Sequence, residues 1–337
     1  MLTDSEKVML RLKAIFAILL VLVFVGCAEQ SRYVVVEGYM LGTTFRVVAN
    51  TTQPQDQIYA ETMRIDSLAK GSMSIFNGES LLSRINDNRT DSLDCHLLKN
   101  IAVARRIYNL SNGAYDITVK PLTEAYGFAS KGKIEHPNVD SLLQFVGFDK
   151  FSVENNRIIK QDKRLQLDLN SLAKGYTVDL VAQSLEQMGC SDYLVEVGGE
   201  IRASGINSRG VEWRVGVDSP FDGNNAPGQS CQSVISISNK ALATSGNYRR
   251  YYTDSQGNKI THTINPKTGK SIHSRLLSAT VVCDKCVEAD AMATMFMAMG
   301  DREAVRLADE LKHQGVQVYF ILANGEEYEE FSTLENK

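Results

Sequence analysis

The spacing of apolar positions along this chain changes period many times, and each change marks an element. From Tyr33 to Ala49 apolar and polar residues alternate, with Gly38 and Gly42 among them, which predicts a hairpin turning at Leu41-Gly-Thr-Thr44. Residues 50–56 read as a polar linker. Ile58, Ile65, Leu68 and Ala69 then recur at helical spacing, and Ser80 to Asn86 reads as a short turn or helix. Leu97, Ile101, Ala104 and Tyr108 mark one face of a helix that stops at Asn112-Gly113. Tyr115 to Leu122 reads as extended, leading to Tyr126-Gly-Phe128, and a short helix runs from near Asn138 to Gly147. Phe151 to Leu167 predicts a hairpin turning at Asn155-Asn156. Val178, Val181, Ala182, Leu185 and Met188 predict a helix closed by Gly189, followed by a strand from Tyr193 to Val197 that runs into Gly198-Gly199. Further strands are predicted at Trp213–Val217, Ser233–Ser238 and Ala279–Cys283, with a hairpin after Tyr248. A helix at Arg302–His313 and a strand at Val316–Leu322 close the pattern. Helices and strands mingle without the regular alternation of a doubly wound sheet, so the fold class is α+β.

One helix differs from the rest. Glu288 to Gly300 is rich in Ala and Met and interrupted by two polar side chains, Asp290 and Thr294. Four residues apart, they project from one face. One reading makes Asp290 a cap of this helix, with Thr294 bonding back to the carbonyl of Asp290. The other makes the pair two hard oxygens for Mg2+, which takes few protein ligands and completes its shell from water and phosphate.

The chain has 337 residues, 43% hydrophobic and 23% charged, long enough for one large domain or two closely joined ones. Its net charge of −4 and lack of a basic run argue against nucleic acid as a partner. Neither a Gly-x-Gly-x-x-Gly nor a Walker motif is present. Lys7, Arg11 and Lys13 precede an apolar run from Ala14 to Val25, too short for the ~20 residues that a bilayer core needs. Residues 1–26 therefore read as an export signal. Gly26-Cys27 resembles the bacterial lipobox, in which Cys27 is lipidated and becomes the mature N-terminus, with residues 27–32 as the lipid-anchored linker. Losing residues 1–26 would shift the net charge to −5. The expected address is the cell envelope, facing the periplasm and held to a membrane by lipid.

Five further cysteines remain, Cys95, Cys190, Cys231, Cys283 and Cys286, and an odd number excludes full internal pairing. Cys283-Asp-Lys-Cys286 has redox-motif spacing but follows a strand, and without a second pair it is too little for structural zinc. A structural pair or two free thiols is the reading preferred here over a redox centre.

Eight short motifs in order are together far more specific than any one of them. Leu41-Gly-Thr-Thr, Met73-Ser-Ile-Phe, Tyr115-Asp-Ile-Thr-Val-Lys-Pro-Leu, Asp168-Leu-Asn-Ser-Leu-Ala-Lys-Gly, Val197-Gly-Gly-Glu-Ile, Thr244-Ser-Gly-Asn-Tyr, His262-Thr-Ile-Asn-Pro-Lys-Thr-Gly and Ala289-Asp-Ala-Met-Ala-Thr resemble the ApbE family of FAD:protein FMN transferases. The resemblance spans about residues 33 to 325, and it implies one ApbE-like domain over 33–330 with mixed or antiparallel sheets and packed helices. It implies Mg2+-dependent transfer of FMN from FAD to a Thr or Ser of an exported acceptor, releasing AMP. Subunits of ion-pumping redox complexes are the acceptor class it suggests. By the family pattern Asp290 and Thr294 ligate Mg2+ with the backbone carbonyl of Ser171, and Asp168 holds the nucleotide. Leu41, Phe76, Ala114, Tyr115, Asp116, Lys174 and Ile264 fall at FAD-contact positions. Leu41 stands where Met is usual and Phe76 where Tyr is frequent. Phe76 is either a ring stacked on the cofactor or a core aromatic. Lys174 faces phosphate or pairs with Asp179. Ala293 stands where some members carry a further acidic ligand. His262 is the candidate base, since imidazole titrates close to neutrality, and its competing role is a hydrogen bond to phosphate or backbone. Arg249 and Arg250 bind phosphate or the acceptor, or are solvated surface.

Two other activities use the same residues. An FAD pyrophosphatase would put water in place of the protein hydroxyl and release FMN and AMP. A non-catalytic FAD-binding lipoprotein would need no metal beside the diphosphate.

Overall fold

The computed structural model describes residues 32–128, 133–134, 137–220, 230–247, 251–254, 257, 259–325 and 327–335. Residues 1–31, with the export signal and Cys27, and Arg249 and Arg250 lie outside these. In chain order the elements are β1 (Arg32–Met40), β2 (Thr43–Thr51), α1 (Gln55–Met73), α2 (Leu81–Asn86), α3 (Cys95–Leu110), α4 (Lys120–Ala125) and α5 (Val139–Leu143). Next come β3 (Phe151–Glu154), β4 (Arg157–Lys160), α6 (Ala173–Gln187), β5 (Tyr193–Val197), β6 (Glu200–Ser204), β7 (Trp213–Asp218) and β8 (Cys231–Ile237). The chain ends with β9 (Lys240–Gly246), β10 (Tyr251–Thr253), β11 (Lys259–Thr261), β12 (Leu276–Cys283), α7 (Cys286–Met299), α8 (Asp301–Lys312), β13 (Gln317–Asn324) and β14 (Glu327–Ser332). The class is α+β, as the pattern predicts.

Eight strands form one antiparallel sheet in the order β1-β2-β5-β6-β9-β12-β13-β14. Its two faces are covered differently. On one, Phe45, Val47, Val195, Val281 and Phe320 pack into cores that take in α6 and α7. On the other, Ile201, Leu242, Val282 and Ile321 pack beneath Trp213, Val215, Ile235 and Ile237 of the separate β7–β8 ribbon. Covered on both faces, β12 is buried along nearly its whole length rather than on alternate residues, Ser278 and Thr280 included.

The turn signals hold where chemistry demands a special backbone. Leu41 and Gly42 turn the first hairpin with φ of 50° and 79°, and Asn155 and Asn156 turn β3 into β4 with φ of 49° and 59°. Two segments differ from their reading. The polar linker shrinks, because β2 runs to Thr51 and α1 begins at Gln55. Tyr115–Leu122 is not extended: a 3-10 turn at Ile117–Val119 leads directly into α4. Asp116 caps that turn by accepting from the Thr118 N–H, and Pro121 sits in the first turn of α4, where its missing N–H costs nothing.

α6 and α7 meet by exchanging carboxylates. Neither helix has a side-chain cap of its own. Asp179 of α6 accepts from the Cys286 and Val287 N–H groups at the start of α7, at 3.1 and 3.0 Å. Asp290 of α7 accepts from the Gly175 N–H at the start of α6, at 2.9 Å. Each helix thus satisfies the other's orphan donors. The approach requires glycine, since a Cβ on Gly175 would lie 2.3 Å from the Cys286 carbonyl oxygen and 2.8 Å from Asp290 Cβ. Asp179 also pairs with Arg202 on β6 at 2.9 Å, tying both helices to the sheet. Asp179→Ala should therefore cost about 3 kcal/mol in urea unfolding, the range for breaking a buried pair. Asp284→Ala, which breaks an exposed pair with Lys240, should cost less than about 1 kcal/mol.

Candidate active site

Pairing between β6 and β9 begins at Ala203↔Lys240 and stops at Ile201↔Leu242, although β9 continues to Gly246. Beyond that point β9 pairs only with β12, and β6 turns back through Gly199 and Gly198 into β5. The sheet is split at this end. A cavity of about 940 Å3 occupies the split and reaches both faces.

On the helix face, three segments converge. Leu167, Leu169 and Leu172 are buried and anchor the loop before α6, while the Asp168 N–H donates to the Ile117 carbonyl at 2.7 Å. That bond sets Asp168 and Ser171 beside Tyr115, whose hydroxyl lies 2.8 Å from Ser171 Oγ. α7 contributes Asp290 and Thr294, and Thr294 Oγ1 lies 3.1 Å from Ser245 Oγ at the end of β9. Lys174 and Glu200 form an ion pair between α6 and the β5–β6 hairpin. Thr244, Ser245, His262 and Ile264 line the wall as well. The His262 ring meets Phe128 edge-on at 6.2 Å.

Charge dominates this wall. Asp290 is 4% and Glu200 2% exposed. Burial raises the pKa of Asp290 against the opposing pull of the Lys174 charge and the Gly175 N–H. It raises that of Glu200 too, and the Asp290 charge adds to the rise while Lys174 opposes it. For Lys174 burial works downward, but the charges of Glu200 and Asp290 outweigh it and hold the ammonium protonated. Two carboxylates thus share one ammonium, and Glu200 Oε2 has no hydrogen-bond partner. Hard oxygen donors with surplus negative charge fit a small divalent cation. Among the described residues no three His, Cys, Asp or Glu side chains form a metal-binding group.

The profile of the ApbE family matches residues 41–320. This chain belongs to the ApbE family. The FAD:protein FMN transferase of Vibrio cholerae is 32% identical to it over 299 residues, covering 86% of this chain and 88% of that protein. The Haemophilus influenzae protein of the same name is 30% identical over 327 residues, 92% of each chain. The solved flavin transferase ApbE from Vibrio cholerae superposes with a TM-score of 0.79 at 30% identity, over 90% of this chain and 97% of that one. The apo Pseudomonas stutzeri flavinyl transferase ApbE gives 0.79 at 25% identity, over 91% and 96%.

Of the ApbE positions singled out in the sequence, Ala114, Tyr115, Asp116, Asp168, Ser171, Lys174, His262, Ile264, Asp290 and Thr294 all border the cavity. Leu41 and Phe76 are not on its wall. The Leu41 N–H donates to Asp66 on α1 at 2.9 Å, and Phe76 is 64% exposed, which removes its reading as a core aromatic. Asp290 does cap a helix, but α6 rather than its own, because it lies a full turn inside α7. Thr294 faces Ser245 rather than the Asp290 carbonyl. Lys174 pairs with Glu200 and not with Asp179, which is committed to α7 and Arg202. The Asp116 carboxylate is spent internally, accepting from the Thr118 N–H and hydroxyl and from the Phe148 N–H. All five described cysteines are free.

Glu200 escaped the sequence reading although its motif did not. The signal was a glutamate following Gly198-Gly199 at the start of a strand, where alternation turns it toward the helices. Gly175→Ala should lower stability by about 1–3 kcal/mol in thermal or urea unfolding, as overpacking does. It should also separate Asp290 from Lys174, so activity should fall further than stability alone explains.

Proposed function

We propose that this ApbE enzyme transfers FMN from FAD to a Thr or Ser hydroxyl of an exported acceptor protein, with AMP leaving. FAD:protein FMN transfer follows from its family; the hydroxyl acceptor, the Mg2+ requirement and the leaving group are our reading. The observation that carries it is the gathering of Lys174, Asp290, Thr294, Ser171 and His262 around one cavity in the split sheet.

Asp290, Thr294 and the Ser171 carbonyl would hold Mg2+, which when bound supplies positive charge against a diphosphate. The protein's own groups do the rest. Asp168 orients the nucleotide, and Ala114, Tyr115, Asp116 and Ile264 wall it in. Leu41 and Phe76 contact the flavin nucleotide by family pattern alone. The Lys174 ammonium, kept charged by its two acidic neighbours, opposes phosphate charge. The acceptor hydroxyl oxygen bonds to the FMN phosphorus as the bond from that phosphorus to the bridging oxygen breaks. That oxygen departs with AMP, and His262 takes the hydroxyl proton. Residues 1–26 act as the export signal and Cys27 carries the lipid, placing the enzyme on the periplasmic side of a membrane beside exported acceptors, such as subunits of ion-pumping redox complexes.

Incubation with FAD, Mg2+ and a candidate acceptor tests this. A flavin-fluorescent acceptor band on a denaturing gel is expected; release of FMN alone would mean hydrolysis, and intact FAD would mean binding only. Asp290→Asn should abolish transfer while leaving the fold by circular dichroism, and unchanged transfer would remove Asp290 from its metal role. His262→Ala should lower kcat by about 10²–10⁴, the span of general base catalysis, with FAD affinity retained in a fluorescence titration.

A further inference from the structure

The cavity has a second chamber, on the face of the sheet away from α6 and α7. Its floor is Thr44, Arg46, Val48, Leu194 and Glu196, side chains that point opposite to the packed Phe45, Val47 and Val195. Its side is β7. Trp213, Arg214, Val215 and Gly216 border it in succession. Trp213 and Val215 face the core beneath the ribbon and Arg214 and Gly216 face outward, so one face of the strand cannot account for all four. Residues of both faces border one space where it runs along the strand's edge, and the edge is where the backbone N–H and C=O groups lie. Among the described residues β7 pairs with β8 alone, no strand pairs with its other edge, and none of β8 borders the cavity.

We propose that this chamber is the acceptor's site: an extended stretch of the acceptor polypeptide pairs as a third strand with the edge of β7 away from β8, along Trp213–Gly216, and carries its hydroxyl through the split to the diphosphate. The inference rests on the flavin-transfer reading and names where the protein substrate binds. Three observations favour a polypeptide here. A strand edge offers alternating N–H and C=O groups, which a peptide backbone matches along its length and a nucleotide does not. The floor carries both signs of charge, with Arg46 and Glu196, beside the exposed Arg214. The chamber also opens onto Glu200, Thr244 and Ser245, at the split that leads to Lys174 and Asp290. Affinity would come from the backbone ladder, and selection from side chains at alternate positions of the bound segment.

The probe is a synthetic peptide chosen from a Ser/Thr peptide library as the best FMN acceptor of the intact enzyme with FAD and Mg2+. Its backbone amides are then N-methylated one at a time, and transfer is read by peptide fluorescence. We expect losses of about tenfold at every second position and little loss between, since each lost hydrogen bond is worth about that factor. Hydrogen exchange should show β7 amides protected by the peptide and not by FAD alone. A flat N-methylation profile with transfer intact, or protection of β7 by FAD alone, would overturn the acceptor site and leave flavin transfer standing. If no peptide and no exported protein accepted FMN, both would fall.

Discussion

Two helices that cap one another fix the geometry on which the rest of this protein depends. Asp179 closes the N-terminus of α7 and Asp290 closes that of α6, and the absence of a side chain at Gly175 lets the two backbones meet. A carboxylate held this way has little freedom to choose rotamers. Asp290 Oδ2 is committed to a backbone donor, so its other oxygen is presented to the cavity in a set direction. Preorganisation of that kind makes a buried acid useful for holding charge in place.

Electrostatics adds a cost that packing alone would avoid. Burying Asp290, Glu200 and Lys174 together raises both acids and leaves Glu200 Oε2 without a donor. An apolar trio of similar volume would cost less. On the function proposed, the cluster is a site made ready for a ligand that brings positive charge, with the ammonium standing by for phosphate.

The sheet supplies the second constraint. Its strands are paired along most of their length, but β6 and β9 part beyond Ile201 and Leu242, where the β5–β6 hairpin turns tightly at Gly198-Gly199 with φ of 60° and 100°. Continuous pairing would have sealed the helix face from the ribbon face. The gap joins them, and the candidate site residues border it where the ladder stops.

Much of this was legible in the order of residues. Period-two runs gave the strands, Asn155-Asn156 gave a turn that needs positive φ twice, and the Ala/Met-rich stretch around Asp290 gave a buried helix, because these depend on neighbours within a few residues. The segment 115–122 was misread for the same reason: Ile117, Thr118 and Val119 favour a strand locally, while Asp116, held by Thr118 and Phe148, and Pro121 turn it into a helix start. The partner of Lys174 could not be read locally. Asp179, five residues on, points to another side of the helix, whereas Glu200 is brought there by the β5–β6 hairpin. Sequence by itself determined the elements, the family and most of the residues around the cavity. Only the tertiary structure decided which carboxylate serves which helix, and where the sheet opens, because both depend on contacts between segments far apart along the chain.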